Sequence, residues 1–255
     1  MSLARTALRL CVAACLKGSV ETRPTIAEGR VYDSRIAEVA PESFVADALA
    51  TVILLSDGDE GEALSAQNGG PPFRRLIDMV FETGMTQAIK DGDDYVVGYP
   101  DTDARLEASL DLLQFQLLRR LAYDPDPLCV LFRRFVRIRR QESHRQVLDE
   151  SGVKIACRIL TLTCEVNDDQ VDVYNIASSP PGVANPFDVL PEPLRSVALT
   201  LPEGSPGHEI CTVLAAALTP LAAVPLSGVD IEITNPNNAP TVRAAIDLPQ
   251  DATED

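Results

Sequence analysis

Residues 73–85 read FRRLIDMVFETGM, and their apolar side chains recur at every second position. One side of the stretch is strongly apolar and the other is mixed: Ile77, Met79, Phe81 and Thr83 alternate with Leu76, Asp78, Val80 and Glu82. A period of two is typical of a β-strand that buries one face. We therefore predict a strand here and expect its apolar face to contribute to a core.

Two further strands are predicted on either side of this one. Thr51–Leu55 reads TVILL, and its β-branched and leucine residues favour a central strand. Residues 57–62 then predict a solvated acidic turn, because an EF-hand loop would need a glutamate about twelve residues after its first ligand, where Asn68 stands. Residues 152–166 alternate as well and predict a strand that is covered on both faces towards its end.

Helical periodicity precedes and follows these strands. Near the N-terminus, one helix face is predicted to hold Leu3, Ala7, Leu10, Cys11 and Ala14. We interpret this segment as a mature amphipathic helix capped by Gly18 rather than as a signal peptide, since Arg9 leaves too short an apolar run. A second helix is predicted after Thr102 or Asp103, with leucines at steps of three and four: Leu106, Leu110, Leu113, Leu117 and Leu121.

The strongest local charge anomaly is an arginine run after this second helix. Apolar residues at helical spacing are interleaved with basic ones: Leu128, Leu131, Phe132, Phe135 and Val136 with Arg133, Arg134, Arg137, Arg139, Arg140 and Arg145. We predict a helix whose arginines meet an acidic patch on a neighbouring copy, supplied by residues 57–62 or 91–94. A solvated helix face and a nucleic-acid contact remain alternatives.

Composition constrains the class of function. The 255 residues carry 22 Lys+Arg against 38 Asp+Glu, a formal net charge of −16. This charge opposes non-specific binding to nucleic acid, yet the same repulsion would suit a channel through which DNA passes without sticking. Trp is absent and aromatic residues make up only 5%, which disfavours a base-stacking platform. No segment is apolar for the about 18 residues that a membrane span requires.

The cysteines lack the spacing of a metal site. Six are present and none forms a CxxC pair: Cys11, Cys15, Cys129, Cys157, Cys164 and Cys211. Neither His144 nor His208 lies near a cysteine cluster. We therefore expect no zinc site and predict reduced, mostly buried thiols.

Signatures of catalysis are missing from the sequence. It contains no G-x-S-x-G, Walker A, GxGxxG or HExxH motif, so we expect no catalytic residue, cofactor or metal. The acid pairs Asp93–Asp94 and Asp168–Asp169 fall in predicted loops, where solvation explains them. His208 and Glu209 follow GSPG and favour a helix start. A hydrolase centred on these two residues is the alternative from the enzyme class, and an unchanged phenotype of His208→Ala would exclude it.

Composition also suggests three parts along the chain. We predict a domain over residues 1–177, a proline-rich linker over 178–195 and a small accessory module over 196–255. Within the module we predict a strand, a helix and two strands, from SVALTLP, residues 209–217, GVDIEITNP and APTVRAAIDLP. The acidic tail QDATED is expected to be loose.

The order of parts over residues 1–175 carries a family resemblance. The N-terminal helix leads to GRVYDSRI at 29–36, TVILLSDGDEGE at 51–62, GGPPFRRLIDMVFE at 69–82, TDARLEASLDLL at 102–113 and LDESGVKIACRILTLTCEV at 148–166. This order resembles the tail terminator, or tail-completion, proteins of long-tailed bacteriophages and of related prophages and gene-transfer particles. The most diagnostic pieces are V-Y-D-S-R at 31–35 and the E-x-x-L-D helix at 107–111.

The resemblance implies an α+β fold in which helices pack on one face of a mostly antiparallel sheet. Members of the family form a hexameric ring that caps the growing tail tube, ends its polymerisation and presents the tail to the head connector. The implied partners are a second copy, the tail tube protein and the head–tail connector protein, with DNA only as passing cargo and no membrane. The implied location is the virion tail or neck, after assembly in the host cytoplasm.

The segment after residue 180 is an addition to the family pattern. For that reason another head–tail joining, neck or tail-tube ring protein remains an alternative, as does a non-enzymatic adaptor that holds a partner through its C-terminal module.

Candidate subunit contacts come from three segments. In GRVYDSRI, Val31 is expected to face the core, and the candidate contacts are Arg30, Tyr32, Asp33 and Arg35. The acidic turn and the arginine run contribute the others: Asp57, Asp59 and Glu60, and Arg133, Arg134, Arg137, Arg139 and Arg140.

Overall fold

The computed structural model describes residues 2–18, 24–34, 47–65, 67, 70, 72–91, 94–147, 154–170, 185–218, 228–233 and 242–247. The chain divides into two compact units, Met1–Leu218 and Thr219–Asp255.

A mostly antiparallel sheet forms the centre of the first unit. Its strands are β1 (Val31–Asp33), β2 (Leu49–Ala63), β3 (Phe73–Asp91), β4 (Asp94–Gly98), β5 (Val136–Val147) and β6 (Lys154–Val166). The order across the sheet is β1-β2-β3-β6-β5, and β4 pairs with the far end of β3. Among the described strands of this sheet, only the β1–β2 pair is parallel. The predicted α+β class is therefore confirmed.

Five α-helices accompany the sheet among the described residues: α1 (Leu3–Lys17), α2 (Ala104–Tyr123), α3 (Pro127–Phe135), α4 (Leu194–Thr200) and α5 (Pro206–Leu218). Helix α1 ends where predicted, at Gly18, whose positive φ of 60° is readily adopted by glycine. Helix α2 is capped by Asp103, whose carboxylate accepts from the backbone nitrogens of Arg105 and Leu106.

The core lies between the helices and the apolar face of β3. Ile77, Met79 and Phe81 are each 0% exposed, as the alternation predicted. Phe81 is paired with Leu54 on β2 and Leu160 on β6, so apolar side chains from three strands form one layer. Helix α1 packs over β1 and β2, and α2 over β3 and β6.

The opposite face of the sheet is only partly covered. Along β3 it carries Asp78, Val80 and Glu82, which are half-buried. Strand β6 alternates between buried and half-buried residues, so it differs from the predicted strand covered on both faces.

The acidic segment after Leu55 is not the turn that we predicted. Strand β2 continues through it to Ala63, with a register shift between Ser56 and Asp59. The physical reason is the partner strand: the first residues of β3 pair with this segment and supply its backbone hydrogen bonds, which the local sequence does not reveal.

The arginine run is likewise not one helix. Helix α3 ends at Phe135, and the chain enters β5 at Val136 with extended backbone. Val136 and Ile138 pair with Val166 and Cys164 of β6, so tertiary pairing overrides the helical spacing.

The predicted boundary at 178–195 differs from the observed division at Leu218. Several residues after the prolines lie buried in the first unit's core: Phe187, Leu190, Leu194, Val197, Ala198 and Leu201. The segment SVALTLP, predicted as a strand, lies largely within α4, where Leu194, Val197 and Ala198 recur at helical spacing. Residues 178–184 of the predicted linker lie outside the described residues.

The second unit contains a two-stranded antiparallel sheet of β7 (Gly228–Ile233) and β8 (Val242–Asp247). Both strands were predicted.

Candidate assembly surface

A basic edge runs along the β5 side of the sheet, and we define it as Arg134, Arg137, Arg139 and Arg140. Arg134 lies in the last turn of α3, and the other three lie on β5, the last strand of the sheet. All four are exposed. Guanidinium groups on an edge strand oppose its pairing with another basic edge.

The arginines of this region have different partners. Arg133, a predicted contact, donates to the carbonyl oxygens of Leu121 (3.1 Å) and Asp124 (2.7 Å), and so binds the C-terminal end of α2. Within the basic edge, Arg139 forms an ion pair with Glu165 and Arg140 one with Glu142. The hydrogen bond from Arg139 holds the pKa of Glu165 below its ordinary value.

Arg134 and Arg137 are different from their neighbours. Within the part of the chain that the structure describes, neither side chain forms a hydrogen bond or an ion pair. Their charges are therefore available to a partner.

An acidic edge lies on the other side of the same sheet, and we define it as Asp57, Glu60 and Glu62 on β2. All three are exposed, and none forms an ion pair within the described residues. Asp59, which we predicted as a contact, instead forms a 3.0 Å ion pair with Arg75 on β3.

The GRVYDSRI segment is used largely within the chain. Val31 is 0% exposed, as predicted. Arg30 donates to the carbonyl oxygens of Ala50 (2.9 Å) and Ile26 (3.0 Å). Asp33 pairs with Arg9 of α1 at 2.9 Å. These contacts attach β1 to its neighbours and leave Arg30 and Asp33 little freedom to bind another chain.

The two remaining residues of that segment are less informative. Tyr32 is half-buried, and burial raises its pKa. Arg35 lies outside the described residues.

A cleft of about 520 Å³ lies between the second half of α1 and the start of α5. Its walls are mainly apolar, including Leu10, Leu128, Leu201 and Ile210. His208 lies outside this lining and packs edge-on against Phe187 at 5.1 Å.

The thiols are buried, as predicted, and none is in a disulfide. Burial raises the pKa of Cys157 and of Cys164 to about 12, and that of Cys211 to about 11. At neutral pH these groups are protonated and are poor nucleophiles. Over the described ranges, no group of three His, Cys, Asp or Glu side chains is placed to hold a metal ion.

Sequence reasoning missed an exposed apolar stripe on α2. Leu112, Phe115 and Tyr123 are 45%, 60% and 81% exposed. Their spacing of three and eight residues places them on one helix face opposite the buried leucines, so a helical projection of α2 would have found them.

Comparisons with protein-family models, with curated proteins and with solved structures found no match. Among the described helices, none is both long and apolar enough to cross a membrane.

Proposed function

We propose that this chain is a structural virion protein that forms a ring, of six copies by family analogy, at the head-proximal end of a phage tail. The ring would end polymerisation of the tail tube and join the tail to the neck. In this proposal the chain is not an enzyme, and its partners are further copies, the tail tube protein and the head–tail connector protein.

One observation carries the self-association: one sheet presents an exposed acidic edge and an exposed basic edge on opposite sides. Arg137 and Glu60 represent the two edges, and both are without an ion-pair partner among the described residues. Contacts between two different patches of identical chains are heterologous, and they close into a ring when the rotation between copies allows it.

The fold supports the placement of this ring in a tail. The sheet is mostly antiparallel with helices on one face, which is what the resemblance to tail terminator proteins implies. The net charge of −16 also supports it, since a negative lumen would let DNA slide past.

Native mass spectrometry with electron microscopy tests the proposal. We expect a closed ring of defined copy number with a central channel. A chain that remains monomeric at every concentration would refute the ring. It would favour the adaptor alternative, which the separate compact unit over 219–255 supports.

A tail-tube or neck ring would give a similar image. Purified tails separate these functions, because a terminator binds only the head-proximal end of a tube. Labelled protein found along the whole tube would indicate a tube subunit instead.

A further inference from the structure

We propose that neighbouring copies join edge to edge, with the outer part of β2 of one copy pairing antiparallel with β5 of the next. This inference rests on the proposed ring and names the strands and side chains that would make its contacts.

Both strands have an unpaired side. Strand β1 pairs with β2 only at Val52, Ile53 and Leu54, so within the described residues no strand lies outside Asp57–Ala63. Strand β5 has β6 on one side and, among the described strands, none on the other. Unpaired backbone groups along an edge can accept a further strand.

The strand directions agree with this pairing. Strands β2, β3, β6 and β5 alternate in direction across the sheet, because each neighbouring pair is antiparallel. A copy of β5 placed beside β2 would run opposite to it, so the alternation would continue from one copy to the next.

The register places opposite charges at the same level. Glu60 pairs with Leu76, Leu76 with Glu165, and Glu165 with Arg137, which makes one row across four strands. Directly paired residues share a face of the sheet. Because neighbouring strands lie about 4.8 Å apart, Glu60 and Arg137 stand at opposite ends of a row of about 14 Å.

This row determines how a neighbour would fit. A second copy placed alongside with no shift along the strands would bring its Arg137 against Glu60 of the first. The segment 57–62 of β2 contains four acids and no base, whereas β5 contains four arginines and one glutamate. The alternative pairing of two β5 edges would set arginines against arginines and would be repulsive.

Charge reversal tests the pairing. The basic-edge variant is Arg134→Glu with Arg137→Glu, and the acidic-edge variant is Glu60→Arg with Glu62→Arg. Each variant alone sets like charges together, so we expect its association to weaken by roughly a hundredfold or more. An equimolar mixture should assemble again, because every contact then joins an acidic edge to a basic one.

The matched control is Arg105→Glu with Arg119→Glu, which also replaces two exposed arginines by glutamates but does so on α2. This control should assemble like the wild type. Mass is measured by light scattering after size exclusion. If both edge variants still form the ring that the wild type forms, or if their mixture stays dissociated, the edge pairing is overturned. A wild type that never assembles overturns the ring itself.

Cross-linking gives an independent readout. In the double variant Glu60→Cys with Arg137→Cys, oxidation by air and copper should produce a ladder of covalent oligomers. The described native thiols are all buried, so the wild type should give no ladder. The pair Glu60→Cys with Arg119→Cys serves as control, and an equal ladder from it would contradict the register.

Discussion

The Asp169 carboxylate caps the N-terminus of α1, although 165 residues separate it from Ala4, whose backbone nitrogen donates to Oδ1 at 2.7 Å. Its Oδ2 accepts from the Leu3 nitrogen and from the Ser2 hydroxyl, each at 2.8 Å. A carboxylate at a helix N-terminus satisfies unpaired N–H groups and interacts favourably with the helix dipole. This contact attaches the segment that follows β6 to the first helix.

We expect Asp169→Ala to lower the free energy of unfolding by about 1–2 kcal/mol, the usual loss for a helix cap. Urea denaturation followed by circular dichroism measures it. Asp169→Asn keeps an acceptor and should lose less. Equal losses in the two variants would show that the negative charge, rather than the acceptor geometry, stabilises the helix.

Asp168, the adjacent residue, makes stability depend on pH. Its side chain is 3% exposed. Burial by itself would raise its pKa, but the Arg75 guanidinium and the backbone amides of Phe73 and Asp169 outweigh this and hold the pKa below its ordinary 3.8. Because the pKa is lower in the folded chain than in the unfolded chain, the stabilisation is complete when the pH is above the ordinary pKa of the unfolded chain. It is lost as the pH falls through the folded pKa.

We therefore expect the melting temperature to decrease on acidification below about pH 4. In Asp168→Asn the protein should be less stable at neutral pH, and part of this acid dependence should disappear. The rest of the acid dependence should remain, because other carboxylates, such as Glu107 and Asp124, also have a lowered pKa in the folded chain. Parallel pH curves for variant and wild type would contradict the assignment.

Gly84 is the point where the Tyr99 ring lies against β3. A Cβ atom added there would lie 2.4 Å from a ring carbon, while the Tyr99 hydroxyl donates to Glu82 at 2.9 Å. Gly84→Ala must displace the ring, and we expect a loss of about 1–3 kcal/mol in unfolding free energy. Gly29→Ala is the control, because no atom lies within 4 Å of its added Cβ. Combining Gly84→Ala with Tyr99→Ala should cost less than the sum of the two changes.

Arg120 and Arg119 are neighbours on α2 with opposite exposure. Arg120 is 7% exposed and bonds the Cys15 carbonyl oxygen at 2.9 Å, together with the carboxylates of Asp124 and Asp126. Removing it would leave a buried acceptor and two carboxylates without their cation. We expect Arg120→Ala to lower the unfolding free energy by about 2–3 kcal/mol. This loss is smaller than the loss on breaking a fully buried ion pair, because the two carboxylates are half-exposed. Arg119→Ala, on the exposed face, should change it by less than about 0.5 kcal/mol.

The basic-edge variant separates assembly from folding. Arg134 and Arg137 are exposed and without ion-pair partners among the described residues, so Arg134→Glu with Arg137→Glu should leave the thermal unfolding of the subunit nearly unchanged. The same variant should lose the ring. Arg133→Ala is the contrasting change, since it removes two hydrogen bonds at the end of α2 and should destabilise the subunit. A basic-edge variant that unfolds would contradict the role of these side chains as free surface charges.

Periodicity predicted those helices and strands that bury one face and leave the other face more exposed. The alternation in β3 and the leucine spacing of α2 report a single buried face each, so local pattern was sufficient. Capping at Gly18 was also predicted, and Asp103 was one of the two caps predicted for α2, because a cap depends on residues within one turn.

Long-range pairing decided what the local pattern could not. The segment 57–62 became strand because β3 pairs with it, and the chain after Phe135 became strand because β6 does. The sequence alone determined that this chain contains an acidic segment, a basic segment and an α+β core. Only the tertiary structure placed those two segments on opposite edges of one sheet with Glu60 and Arg137 in one row, since register between strands distant in sequence is set by packing of the whole sheet.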